Sequence, residues 1–223
     1  MYNYKNFKAR EYDFSTFSGP RVGEKALDFS ATTLDGIKTN LSSFFGNWIV
    51  LEMGSITCPI TESKIVPMND LAHSFPGITF LVLYVREAHP GEKIRQHGSF
   101  EEKFSCAKRF RNEYGVTRTI LVDDIEGVAH QQYGSMPNSV YVINPSGNVV
   151  FRGDWNSVKM VRKILEERNP NKVYTKEHYS ARPYFGRQSR GMFGVLRLAG
   201  RQAVWDFIKA LPQMIMKHIW KPR

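Results

Sequence analysis

From about residue 25 to residue 168 the chain alternates apolar runs with polar, cap-rich segments. ITFLVLYV, Ile78 to Val85, is nearly all apolar and partly β-branched, the pattern of a strand covered on both faces. Trp48–Met53 and TRTILVDD read the same way. Two helices are predicted between these runs. One extends from about Pro59 to His73. The other follows Ser99, an N-cap with Glu102 in capping-box position, and carries Phe100, Phe104, Ala107 and Phe110 as one stripe closed near Gly115. SVYVINPSGNVVFRG reads as two strands joined by an Asn-Pro-Ser-Gly turn, and Ser157 starts the helix VKMVRKILEE. Upstream, PRVGEKALDF leads to a short strand, Leu34–Gly36 to a hairpin turn and Leu41–Phe45 to a single helical turn. The core order is β-α-β-α-β-β-α. Parallel crossovers ending in an antiparallel hairpin predict an α/β fold with a mixed central sheet and helices on both faces.

Three regions follow: a domain over 1–170 with its N-terminal lead-in, a linker over 171–190, and a basic amphipathic helical tail over 191–223. In the tail Phe193, Leu196, Gly200, Val204, Phe207, Ile208, Leu211 and Ile215 keep helical spacing, bordered by Arg197, Arg201, Lys209 and Lys217. Pro212 is expected to kink or divide it. The apolar stripe predicts docking onto protein through 191–219, foremost within a homo-oligomer; peripheral contact with an anionic membrane is the second use.

Charge sharpens this division. The formal net charge is +10, and residues 171–223, linker and tail together, hold 11 Lys/Arg against two acidic residues, so they supply +9 of it. The remainder is nearly balanced, and no nucleic-acid partner is expected. Two cysteines, Cys58 and Cys106, are too few for a disulfide scaffold, and no cofactor or metal is expected. The opening MYNYKNFKAREYDF has no apolar stretch of the signal-peptide kind. A cytoplasmic location is the resulting expectation.

Cys58 closes WIVLEMGSITCP, beyond the carboxyl end of a central strand and directly before Pro59, which suits a first helical turn. A thiolate there faces free N–H groups and the positive end of the helix, so an exposed sulfur with a depressed pKa is predicted, with Ser55 and Thr57 as hydrogen-bond donors to it. Glu87 and His89 follow the Ile78–Val85 strand. A carboxylate orienting an imidazole beside Cys58 suits proton transfer. His97, two residues before an N-cap, is a weaker candidate. Cys106, in mid-helix, is a candidate resolving thiol against a plain packing role. His130, Arg118 and Arg152 read as surface residues.

Several ordered segments resemble a known family. MPNSVYV places Pro137 where thioredoxin-like proteins carry a cis-proline facing the active-site helix. No CxxC is present, since Thr61 stands three residues after Cys58. GSITCP is similar to the Gly-Ser-x-Thr-selenocysteine-Pro segment of the iodothyronine deiodinases, with Cys58 at the selenocysteine. YVREAH is similar to the family's Tyr-Ile-Glu-Glu-Ala-His, and HGSFEEK to its His-x-x-Leu-x-x-Arg. The likeness covers about residues 20–168. It departs at Ile56, where the family has a second cysteine, at Ser139 for an arginine tied to substrate, at Lys103 for the helix arginine, and at Arg86 for the first glutamate. The peroxiredoxin pattern fits less well, with Leu51 and Ser55 in place of its proline and threonine.

The resemblance implies a thioredoxin-like fold and a thiol-dependent oxidoreductase: Cys58, assisted by His89 and Glu87, removes a halogen from an aromatic ring. An external thiol of thioredoxin or glutathione type restores the sulfur. Ser55, Thr57, His97 and Pro137 support the site. A thiol peroxidase is the alternative enzyme, and a non-enzymatic thioredoxin-fold adaptor the alternative outside catalysis.

Overall fold

The computed structural model describes residues 2–12, 17–175, 186 and 188–219, the side chains of the last helix as far as 216. The strands are β1 (Ser30–Thr33), β2 (Lys38–Asn40), β3 (Ile49–Gly54), β4 (Thr79–Tyr84), β5 (Thr119–Val122), β6 (Val140–Ile143) and β7 (Val149–Gly153). The helices are α1 (Pro59–Ser74), α2 (Phe100–Tyr114), α3 (Val128–Gln132), α4 (Val158–Glu167), α5 (Gly191–Ala199) and α6 (Arg201–Ile219). The strands form one sheet in the order β2-β1-β5-β4-β3-β6-β7. β3, β4 and β5 are parallel; β1 and β6 flank them antiparallel, and each pairs antiparallel in turn with an edge strand, β2 or β7. This is the expected thioredoxin-like arrangement.

β3 and β4 are central, so both their faces are covered, which explains runs without polar alternation. Val50 and Val82 face α1, α2 and α4 through Met68, Leu71, Ala107, Phe110, Val161 and Ile164. Leu51, Met53, Leu81 and Leu83 face the other way, toward Phe7, Tyr12, Phe29, Ala129 of α3 and Phe207 of α6. The cap at Ser99 forms as predicted: its hydroxyl accepts the Glu102 N–H at 3.3 Å, and the Glu102 carboxylate takes the N–H of Gly98 at 2.7 Å. Gly115 closes α2 in the left-handed region at φ 64°.

Several expectations are corrected. α3 goes unread in the sequence because a five-residue helix spans too little of a period. His130 lies within it and is buried, donating from Nε2 to the Met136 carbonyl at 2.9 Å while Nδ1 accepts from Tyr2 Oη at 2.7 Å. Arg118 and Arg152 are buried as well. Arg118, just before β5, pairs with Glu52 of β3 at 3.2 Å across the intervening β4, and Arg152 donates to the Gly19 carbonyl beside Phe17.

The tail breaks at Gly200 and not at Pro212. Gly200 adopts φ 126°, open to glycine, and Glu92 then caps α6 by accepting from the N–H groups of Arg201 at 2.6 Å and Gln202 at 2.9 Å. Pro212 sits inside α6. The carbonyl it leaves free belongs to Ile208 on an exposed face, where water can satisfy it. Leu196, Ala199, Ala203 and Phe207 are buried in the chain's own core clusters and Val195 is buried too, so α5 and α6 dock on their own domain. Of the expected linker, residues 176–185 and 187 lie outside the described residues.

Candidate functional site

The site forms where β3 ends and α1 begins. Cys58 is the N-cap of α1 with extended backbone, and Pro59 follows as its first helical residue. The N–H groups of Ile60 and Thr61 and the Thr61 hydroxyl act on the sulfur and favour its charged form, as the N-cap position dictates. They do not prevail. The side chain is 2% exposed, burial pushes the thiol up, the nearby Glu87 carboxylate pushes it further, and the net pKa lies above that of an ordinary thiol. The predicted exposed, acidified cysteine is thus corrected: Cys58 is a buried neutral thiol in an apolar cluster with Phe7, Tyr12, Ala88 and Phe207.

Beside it stands a saturated carboxylate. Glu87 Oε2 accepts from Thr57 Oγ1 at 2.5 Å and from the Thr57 N–H at 3.1 Å. Its Oε1 accepts from the Tyr84 hydroxyl and, at 3.0 Å, from His97 Nε2. Burial alone would raise this carboxyl, but the hydrogen bond and charge of His97, with those from Thr57 and Tyr84, outweigh it and hold Glu87 below the usual range. Gln96 fixes the backbone of the same residue, accepting from the Glu87 N–H at 2.8 Å and donating to its carbonyl at 3.1 Å. Gln96 went unread in the sequence, as did Tyr84 and Thr61. For Thr61 the signal was its place three residues after the N-cap; Gln96 had none.

The expected Glu87–His89 pair does not form. His89 is held through its N–H, which donates to Thr57 Oγ1 at 3.1 Å, while its ring lies against Phe7 at 4.2 Å and Phe207 at 5.5 Å between centroids. Burial pushes its pKa down to about 3, so it is a neutral imidazole, and its buried Nδ1 has no hydrogen-bond partner among the described residues. The weaker candidate, His97, takes the place beside Glu87. Thr57 gives its hydroxyl to Glu87 and Ser55 Oγ accepts from the Ala88 N–H at 3.2 Å; the hydrogen bonds that act on the sulfur come from Thr61 and Ile60 instead of the predicted pair. Pro137 precedes β6 as expected, and its carbonyl accepts from Thr61 Oγ1 at 3.4 Å. The cis bond is corrected, since no cis peptide occurs among the described residues. Ser139 is buried at the family's arginine position, which leaves no cation there.

Cys106 packs with the α2 cluster on the far side of the sheet from the cluster holding Cys58, and both thiols are free. Burial and the Glu87 charge push Cys106 up to about 12. Ligand atoms of Glu87, His97 and Cys106 all lie within 4.8 Å of one another. A cation there would have to displace hydrogen bonds that already occupy both oxygens of Glu87, so the donor set fits a proton relay better than a metal.

An N-terminal segment closes the site. Arg86 lies among the rings of Tyr2, Tyr4 and Tyr12, 4.9, 4.9 and 5.0 Å from their centroids, and donates to the backbone carbonyls of Tyr2 and Glu11. Tyr4 donates to the Ala88 carbonyl at 2.8 Å. One cation thereby ties residues 2–12 down beside Cys58 and His89.

Comparison with known structures places the fold. A hypothetical protein from Sinorhizobium meliloti aligns with a TM-score of 0.57 at 14% identity, over 76% of this chain and 94% of that one. The thioredoxin domain of a thiol-disulfide oxidoreductase from Bacteroides vulgatus gives 0.52 at 14% identity, over 65% and 98%. A secreted disulfide oxidoreductase from Mycobacterium tuberculosis gives 0.50 at 19% identity, over 62% and 95%. At these identities the likeness establishes the fold alone. No match is found among curated proteins. The cytoplasmic expectation is corrected by the secreted protein in this set: the same fold operates outside the cytoplasm, so two unpaired cysteines do not assign a compartment. Residues 3–169 match the family described as iodothyronine deiodinase. With the thioredoxin-like fold this supports the general class of thiol-dependent oxidoreductases, here without a CxxC dithiol. The chain belongs to the iodothyronine deiodinase family.

Proposed function

We propose that the protein is a thiol-dependent oxidoreductase that removes halogen from an aromatic ring, with Cys58 as nucleophile. The observation that carries this reading is the continuous buried hydrogen-bonded chain from Thr57, the residue before Cys58, through Glu87 to His97. Reductive removal of halogen needs a nucleophilic sulfur for the halogen and a proton for the ring carbon. In the first step the Cys58 thiolate bonds to the halogen, the carbon–halogen bond breaks, and the ring carbon takes a proton, giving Ar–H and a sulfenyl halide on Cys58. Two equivalents of an external thiol then yield the Cys58 thiol, a disulfide, a halide ion and a proton. Glu87 and His97 move the proton; the neutral His89 offers its unpartnered Nδ1 to the substrate. Substrate reaches the sulfur by displacing residues 4–12. Entry of water would also relieve the burial that raises the Cys58 pKa.

A second reading, a thiol peroxidase, is favoured by one observation: a 2% exposed sulfur admits a peroxide more easily than a ring. There the thiolate bonds to one peroxide oxygen, the O–O bond breaks, an alcohol or water leaves with a proton, and thiol reductant returns the sulfenic acid to thiol. The deciding experiment incubates reduced protein with iodinated and brominated phenols, hydrogen peroxide and organic hydroperoxides under dithiol. Halide release and Cys58 mass are followed. Halide release lost in Cys58→Ser supports dehalogenation. Sulfenic acid without halide release moves the assignment to peroxidase, and inertness toward all of these removes both enzymatic readings.

A further inference from the structure

α6 is apolar on two faces. Ala203, Phe207 and Ala210 are buried, whereas Trp205 is 60% exposed and Ile208, Ile215 and Met216 are exposed with it. At 3.6 residues per turn these four exposed side chains fall within an arc of about 100°, opposite the buried face. A helix apolar on both sides has a second apolar environment to satisfy. The charged side chains that α5 and α6 themselves expose have one sign. Arg197, Arg201 and Lys209 are exposed, while Asp206, the only acidic residue of α5 and α6, turns inward and accepts from Asn6 and Gln202 at 2.8 Å each. The sequence continues with Lys217, Lys221 and Arg223.

We propose that this outer face of α6 lies on an anionic lipid surface. Trp205, Ile208, Ile215 and Met216 enter the boundary between headgroups and acyl chains, and Arg201, at the N-terminal end of the stripe, and Lys209, at its flank, pair with the headgroups. No helix among the described residues is long and apolar enough to cross a membrane, so the contact is peripheral. Charge complementarity selects lipid over a second copy of this chain. Two such faces laid together would bring Arg201 and Lys209 of both copies into one interface, where the carboxylate at hand, Glu92, is already engaged by the N–H groups of Arg201 and Gln202. Trp205 and Arg201 also line a cleft of about 740 Å³ whose wall includes His97, so lipid would sit at the mouth of the approach to the buried carboxylate.

The test uses the reduced full chain and needs no assumption about its reaction. Co-sedimentation is measured with phosphatidylcholine vesicles and with vesicles containing about 30% phosphatidylserine, and oligomeric state is read by sedimentation velocity. Binding to the anionic vesicles is expected to exceed binding to the neutral ones by roughly ten-fold or more and to fall with added salt. The pair Trp205→Ser/Ile208→Ser and the pair Arg201→Glu/Lys209→Glu each weaken it roughly ten-fold, with circular dichroism unchanged. Failure of the folded chain to sediment with anionic vesicles overturns the proposal. So does binding that both variant pairs leave intact. A dimer that dissociates on Trp205→Ser assigns the face to a second copy and overturns it equally.

Discussion

Glu87 Oε1 and His97 Nε2 lie 3.0 Å apart with both side chains buried, ten residues apart on a loop that leaves β4. Neither side chain is near enough to bulk water to be satisfied by it, so each depends on the other. The pair reaches Thr57, the residue before Cys58, through the Thr57 hydroxyl on Glu87 Oε2.

If this pair moves the proton, Glu87→Gln and His97→Asn each lower turnover by about 10²-fold or more, the scale of lost general acid–base catalysis. The pH–rate profile of each variant should lose one limb. Equal turnover and an unchanged profile in both would remove the relay.

Cys58 should react as a buried thiol. Because burial raises its pKa, the thiolate fraction and the alkylation rate are expected to climb about ten-fold per pH unit through pH 9 without levelling. Cys106→Ser leaves that curve unchanged, given its place in a different core cluster. A plateau below pH 8 would mean that the N–H groups of α1 dominate after all.

Arg86→Ala should loosen the N-terminal segment, since it removes a cation from among three tyrosine rings and two donated hydrogen bonds. A stability loss of about 2–4 kcal/mol is expected. Cys58 alkylation should accelerate at least several-fold. Slow alkylation in a folded Arg86→Ala protein would show that residues 2–12 are not the barrier.

Acid should unfold the protein through its buried histidines. His89 and His130 are held neutral with pKa values of about 3, against 6.5 for an unfolded histidine. Between these values the unfolded chain binds more protons, so stability falls as pH falls, by about 1.4 kcal/mol per unit for each. Asp123, raised by burial to about 6, works in the opposite sense below that pH and offsets about one of them. Urea midpoints should therefore decline from pH 7 to pH 4, with a net slope that builds up to about that of one histidine by pH 6 and persists below it. His130→Asn should flatten the slope even where it lowers stability at pH 7.

The buried Glu52–Arg118 pair should be costly to break and cheap to replace. Arg118→Ala leaves a carboxylate with only Asn156, which donates to Glu52 at 2.6 Å, and should cost about 3–5 kcal/mol. Glu52→Met with Arg118→Leu should recover most of it. A double variant as unstable as the single one would show that the pair packs something more than charge.

Sequence by itself determined what depends on near neighbours. Strand and helix periods, the Ser99 cap, the hairpin after Pro137 and the position of Cys58 at the head of α1 are all decided within a few residues, because hydrogen bonds and side-chain periodicity of these elements are local. Ordered local matches also carried the family. Tertiary structure decided the electrostatics. Whether Cys58 is acidified or raised depends on Phe7, Tyr12 and Phe207, brought from both ends of the described chain to exclude water from a sulfur that its own helix favours ionised. Whether Glu87 meets His89 or His97 depends on how the loop after β4 turns, with Gln96 pinning it and Gly91 so close to the Ala199 carbonyl that an added Cβ would lie 2.4 Å from it. Solvation is a property of every atom around a group, and most of those atoms belong to residues distant in the chain.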